Sequence, residues 1–241
     1  ATASPAAICV GASTTITAQT SVVASGLITL GSGVSTTTGS GVSGGNYVSP
    51  FSHYFGGYKA QYIVKASELT ALGLTAGNIT SLAFDITTAG ITYNGFTLSM
   101  GNTSATVASS TYITSGLTQV YTGNLSVSAT GLLTIPFSTG SGSSNFNWDG
   151  TSNVVISLCW SNNNTGGTAA EIKYDSTSFV AMAYNAIDST PVATVCSGTS
   201  ATTISYRPKM VFNGQKNTTG VGSLAYSWND ANASTGNVLT V

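Results

Sequence analysis

Apolar and polar residues alternate along three stretches of the chain, and the alternation predicts strands. Over 79–88 (ITSLAFDITT) it puts Leu82, Phe84 and Ile86 on one face. Over 132–138 (LLTIPFS) it puts Leu133, Ile135 and Phe137 on one face. Over 153–161 (NVVISLCWS) Val154, Ile156, Leu158 and Trp160 share a face, with Val155, Ser157 and Cys159 opposite. Period-two alternation is what a half-buried strand requires, because successive side chains leave the pleat on opposite sides. Turn-forming clusters separate the runs, among them Asn94-Gly95, Gly140 to Asn145, Asp149-Gly150 and Asn162 to Gly167. Short strands at this spacing predict a sandwich. One helix of about two turns is expected, with Ser67 as cap, Glu68 in the first turn, Leu69 and Leu72 inward, and Gly73 as the stop.

The two ends differ from the middle. Residues 1–30 read as a short strand, a turn and the strand-like run Thr14–Ala18. Residues 217–241 read as a strand over Leu224–Trp228, a polar turn and a strand over Asn237–Val241. Neither end is long enough to bury a core alone. The last residues spliced to the first, NVLTV-ATASPAAICVG, read as continuous sequence. The chain begins at Ala1 without Met, a basic region or an apolar leader, which is the expectation for a mature or excerpted segment. Residues 31–46 (GSGVSTTTGSGVSGGN) are of low complexity and read as a flexible linker or long loop.

Composition narrows the function. Charged residues are 5% of the 241, against roughly 25% in ordinary soluble domains. Hydrophobic residues are still 41%, which argues for a core and against disorder. Six cations at a net charge of −1 form no basic patch, so nucleic-acid binding is not expected. No apolar stretch is long enough to cross a membrane as a helix. There are three cysteines, Cys9, Cys159 and Cys196. Cys159 and Cys196 are the candidate disulfide, although three pairings are open. Cys9 is then a buried thiol or pairs outside this segment.

The chemistry-bearing motifs are weak. Residues 39–44 match G-x-G-x-x-G and residues 41–45 match G-x-S-x-G, but a Gly/Ser tract gives such matches by accident. The first needs a strand before it and a helix after it. The second needs a histidine partner, and His53 is the one histidine of the chain. Three scattered cysteines and seven scattered carboxylates give no zinc spacing. Asp149-Gly150-Thr151 and Asp230-Ala231-Asn232 read as turns before they read as calcium ligands. Glu68 and the Glu171/Lys173 pair read as structural, so no glycosidase pair is assigned. No catalytic residue, metal or cofactor is expected. Sequons at Asn78, Asn102, Asn124, Asn163, Asn217 and Asn232 are what chance gives in so Asn-, Ser- and Thr-rich a chain. The aromatic run Tyr47, Phe51, His53, Tyr54, Phe55, Tyr58 and Tyr62 is more informative. On a turn-rich segment such rings either pack at a sandwich edge or face a ligand or partner.

Three stretches carry a resemblance: 61–84 (QYIVKASELTALGLTAGNITSLAF), 146–160 (FNWDGTSNVVISLCW) and 206–212 (YRPKMVF). They resemble a β-sandwich domain of large secreted proteins of Bacteroidota. The terminal pieces, ASPAAICVGASTTITA at 3–18 with SLAYSW and GNVLTV at the other end, resemble the two halves of the Ig-like or PKD-like repeats in those proteins. The resemblance implies an all-β fold: a jelly-roll-like sandwich with one short helix, inserted into a small Ig-like sandwich formed by the chain ends. The expected parts are 1–30 and 215–241 for the Ig-like domain, 31–46 for the linker and 47–214 for the central sandwich. Such proteins include giant adhesins and gliding-motility filaments exported by the type IX secretion system. Asp175-Ser176-Thr177 and Asp188-Ser189-Thr190 are similar to the O-glycosylation acceptor of this phylum, which implies sugar on Ser176 and Ser189.

The expected role is therefore a non-enzymatic repeat of an extracellular, cell-surface fibre or adhesin that pairs strands with neighbouring copies or modules. The competing expectations are a carbohydrate-binding module that meets surface glycans through the 47–62 aromatics, and an accessory domain of a secreted hydrolase.

Overall fold

The computed structural model describes residues 2–4, 15–17, 21–38, 47–52, 54–163, 168–219 and 238–240. By backbone contact the chain divides into two compact units, 25–216 and the paired ends 1–24 with 217–241.

The larger unit is all-β, as the alternation predicts. A six-stranded antiparallel sheet runs in the order β15 (Thr202–Ile204), β14 (Met182–Ile187), β5 (Gly57–Val64), β12 (Asn153–Ser161), β8 (Thr92–Thr103) and β9 (Thr118–Ser126). A seven-stranded sheet follows the path β16 (Tyr206–Pro208), β13 (Glu171–Ser176), β7 (Ser81–Thr88), β17 (Met210–Thr219) and β3 (Ser21–Leu30). In that sheet β10 (Gly131–Pro136) pairs with the other side of β7, and β4 (Ser35–Thr36) pairs with β13. A two-stranded ribbon joins β6 (Gly77–Ile79) to β11 (Phe146–Trp148). The inward faces of the two main sheets share one core. Leu82, Phe84 and Ile86 of β7 and Phe212 of β17 belong to it, together with Tyr58, Tyr62, Ile156 and Trp160 from the other sheet.

β12 departs from the half-buried expectation. Its Val154, Ile156, Leu158 and Trp160 face the common core, but the opposite face is covered too. Val155 packs with Ile63, Ala108, Tyr112 and Ala183 in a second apolar cluster. The cover is the connection between β8 and β9, which folds back over the sheet. It is held by Ala108 N–H to Val180 O (2.7 Å), Tyr112 N–H to Thr199 O (2.9 Å) and the Gln61 side chain on Ile113.

Among the described residues there are two short helices rather than one, α1 (Ala66–Ala71) and α2 (Val192–Ser197). The start of α1 is also shifted: Lys65, not Ser67, is the cap residue. Glu68 stands where its carboxylate accepts the Lys65 N–H (2.9 Å), and a cap does not require a hydroxyl when a carboxylate reaches back in this way. Leu69 is buried, Leu72 is partly buried, and Gly73 at φ +88° ends the turn.

The first part of the expected linker is not a linker. Residues 35–36 pair with β13, and Thr37 is buried, its N–H bonded to Ile172 O (3.0 Å). The Asp175 carboxylate accepts the N–H groups of Gly33 (2.9 Å) and Val34 (3.1 Å). Residues 39–46 lie outside the described residues, as do Cys9, His53 and the expected strand Leu224–Trp228. In the smaller unit β1 (Thr2–Ser4), β2 (Thr15–Thr17) and β18 (Val238–Thr240) form one antiparallel sheet in the order β1-β2-β18. The division falls at 24/25 and 216/217, earlier than 30 and slightly later than 214, because β3 is a strand of the seven-stranded sheet.

Charge is scarce, and one pair is largely withdrawn from water. The Arg207 guanidinium donates to Glu68 Oε2 (2.8 Å), Glu68 Oε1 (2.7 Å) and Ile63 O (3.2 Å). Burial pushes the Glu68 carboxyl up, but the Arg207 hydrogen bonds and charge, with the Lys65 N–H, outweigh it, and the net direction is down. A folded-state pKa below the unfolded one adds stability that is present above the ordinary carboxylate range and lost as pH falls through the folded value. Glu68→Gln is expected to lower unfolding stability by about 1–3 kcal/mol at neutral pH, because Arg207 is left without its counter-charge. In urea titrations the difference between parent and variant is expected to shrink on acidification.

Candidate functional site

The aromatic run is the first place to look for a binding face, and its backbone explains its geometry. Residues 47–52 are irregular and buried, so their carbonyl groups need partners inside the sandwich. Four aromatic side chains supply them. Tyr58 Oη donates to Tyr47 O, and Tyr62 Oη donates to Val48 O (3.0 Å). Trp160 Nε1 donates to Pro50 O (2.7 Å), and Tyr93 Oη donates to Phe51 O (2.8 Å). Tyr93 Oη also accepts the Ala170 N–H (3.0 Å). Burial pushes the Tyr58, Tyr62 and Tyr93 phenols well above their ordinary range, so they remain protonated donors.

The ring of Phe51 fills the space between the sheets. It meets Phe84 edge-on at 5.6 Å and lies 5.2 Å from Tyr93. Tyr47 is buried and stacks on Tyr184 at 4.8 Å. Phe51 and Tyr58 are fully buried, and neither presents a face to a ligand. Phe55 is partly buried. Tyr54, at 53% exposure, is the exposed aromatic of the run, with Phe55 against its edge at 5.0 Å. Packing between the sheets, not ligand display, accounts for most of this segment.

Cys159 and Cys196 are joined by a disulfide, with Cα atoms 5.3 Å apart. It fastens α2 to the outer face of β12. Val195 of α2 packs where Gly57 has no Cβ, only 2.9 Å from the position one would occupy. Beside the disulfide lies a cleft of about 340 Å³, lined by Lys59, Thr97, Ser99, Ser157 and Thr114 among others. Sequence reading missed it. Ser157 sits in a run that reads simply as a strand and Lys59 within the turn-rich aromatic run, and only the two covers over the sheet give the face a concave shape.

A second cleft, of about 360 Å³, lies beside Arg207, Glu68, Phe179 and Ser176. Its charges are spent on one another or on backbone, as described for Glu68 and Asp175. Ser176 and Ser189 are both exposed. In each Asp-Ser-Thr motif the aspartate anchors a loop: Asp175 holds Gly33, and Asp188 Oδ1 accepts the Gly56 N–H (3.0 Å). Asp149 builds a turn of the same kind. Its Oδ1 accepts the N–H groups of Thr151 (2.8 Å) and Ser152 (2.7 Å), and bonding to Ser152 and Thr151 holds its carboxyl down at about 2. Among the described residues no group of three or more His, Cys, Asp or Glu is placed to hold a metal. None of the described helices is long and apolar enough to cross a membrane.

No protein-family model, curated protein or solved structure matches this chain.

Replacing both Cys159 and Cys196 by Ala is expected to cost about 2–4 kcal/mol, read as a lower urea midpoint, because the 37-residue separation closes a long loop. A midpoint equal to that of the parent would contradict the role given to the bond. Within the aromatic run, Tyr58→Ala is expected to cost about 3–5 kcal/mol and Tyr54→Ala less than about 0.5 kcal/mol. Equal costs would mean that Tyr58 is not core.

Proposed function

We propose that the chain is a structural and adhesive repeat module of an extracellular bacterial surface fibre or giant adhesin, joined to its neighbours by strand pairing. The observation that carries this reading is the meeting of the two chain ends in one three-stranded sheet, in a compact unit separate from 25–216. A chain built this way carries a whole sandwich domain as an insertion between two halves of a smaller module. That suits a link in a series, and an open edge on such a piece accepts a strand from the next copy.

Other features support the reading. Leu27 and Val34 are exposed at 62% and 80%, on or beside the strand that ends the seven-stranded path. A net charge of −1 leaves little long-range repulsion between copies. A disulfide suits an oxidising compartment. The exposed Ser176 and Ser189 suit surface modification. The competing carbohydrate reading through the 47–62 aromatics has little stacking surface to draw on, since Phe51, Tyr58 and Tyr62 are inside.

Sedimentation of the purified 241-residue chain across a range of concentrations tests the proposal. The expected result is concentration-dependent association, with a further slowing of amide exchange at β1 and β18, the two edges of the three-stranded sheet, in the associated species. A chain that stays monomeric at every concentration would overturn it.

A further inference from the structure

The floor of the cleft beside the disulfide is set by strand register. Lys59, Cys159 and Thr97 lie abreast on β5, β12 and β8, and Gln61, Ser157 and Ser99 form the next row. All six leave their strands on the side away from the common core. One end of this face is closed by the connection carrying Ile113 and Thr114, and the other by α2. What remains open is a trough with hydroxyl groups and one lysine on its floor and apolar walls at Ile113, Leu117 and the disulfide, and its volume, about 340 Å³, lies at the small end of the range for ligand pockets.

Two groups in the trough are incompletely matched. Lys59 is 6% exposed, and its ammonium donates to Cys196 O (2.6 Å) and Gly198 O (2.7 Å) and lies 4.7 Å from the centre of the Tyr112 ring. These are neutral partners. No carboxylate among the described residues pairs with it. Burial pulls its pKa down, as expected where a charge lacks a counter-charge. Ser157, 9% exposed, accepts from Gln61 Nε2 (3.3 Å), but its own hydroxyl hydrogen has no acceptor among the described residues. Ser99 and Thr97 add hydroxyls on the neighbouring strand, and Thr97 Oγ1 already shares a bond with Thr122 Oγ1 (3.2 Å).

We propose that this trough binds an acidic saccharide unit. Its carboxylate supplies the charge that Lys59 lacks, and its ring hydroxyls bond Ser157, Ser99 and Thr97. A monoanion matches a single uncompensated cation. Hydroxyl side chains that both donate and accept match a polyol better than they match a bare anion. The proposal stands on this face alone and does not depend on the fibre reading.

The test is a titration of the isotopically labelled full chain with sodium glucuronate, followed by amide chemical shifts, with glucose and sodium sulfate in parallel. Saturable shifts at Ser99, Ser157 and Ser197 are expected with glucuronate at about millimolar concentrations, and binding of glucose is expected to be at least about tenfold weaker. Lys59→Met is expected to weaken glucuronate binding by about tenfold or more. Because that change touches a buried group, Thr114→Trp provides a second arm. It fills the mouth from an exposed position and is expected to abolish the shifts while the spectrum stays dispersed. The absence of saturable shifts with glucuronate, or glucuronate binding that survives Thr114→Trp, would overturn the site. An equal response to glucose would overturn the role of Lys59, and an equal response to sulfate would overturn the saccharide assignment.

Discussion

The sandwich depends on a set of hydrogen bonds from aromatic side chains to an irregular backbone. Residues 47–52 pass through the interior without belonging to a sheet, and an unpaired carbonyl there costs about 1–3 kcal/mol. Tyr58, Tyr62, Tyr93 and Trp160 each place a ring in the core and a polar tip on one of those carbonyls. Aromatic side chains suit this task because a large apolar body and a single donor are combined in one group. The same contacts tie three strands, β5, β8 and β12, to one segment, so the spacing of the strands and the path of residues 47–52 are fixed together.

The second organising feature is β12. It is paired on both sides and covered on both faces, by the common core and by the β8–β9 connection with α2. The outer cover buries the apolar part of that face, Val155 with Ile63 and Ala183, in a local cluster, and the disulfide fastens α2 beside it. The charges that exist are used sparingly. Arg207 and Glu68 pair where they are partly buried, and Asp85 accepts from Lys209 (3.0 Å) with Lys173 nearby (3.5 Å). Lys59 is buried without a carboxylate partner among the described residues, and the trough around it follows from the two covers rather than from any motif.

The strands were legible in the sequence because period two is a local property. Leu82, Phe84 and Ile86 point inward, as their spacing requires. The second face of β12 was not legible. Its cover comes from residues 104–117 and 192–197, distant in sequence and without strong periodicity. The buried role of Tyr58 and Phe51 was only half legible. A cluster of aromatics on a turn-rich segment signals packing or display equally well, and the donors to the 47–51 carbonyls include Tyr93 and Trp160, far along the chain. The ordered path of residues 31–38 was hidden for a similar reason, since its partners Asp175 and Ile172 lie on β13. The candidate trough had no sequence signature at all, because a lysine and three hydroxyl residues on separate strands form no spacing pattern.

These features place the hydrogen-bonded framework of the larger unit in its interior. That framework requires the aromatic donors to be structural. The most direct check is the urea unfolding midpoint of Tyr93→Phe, which keeps the ring and removes one oxygen. That oxygen serves both Phe51 O and the Ala170 N–H. A loss of about 1–3 kcal/mol is predicted, because two buried backbone groups are left unpaired. A variant within about 0.5 kcal/mol of the parent would contradict the account.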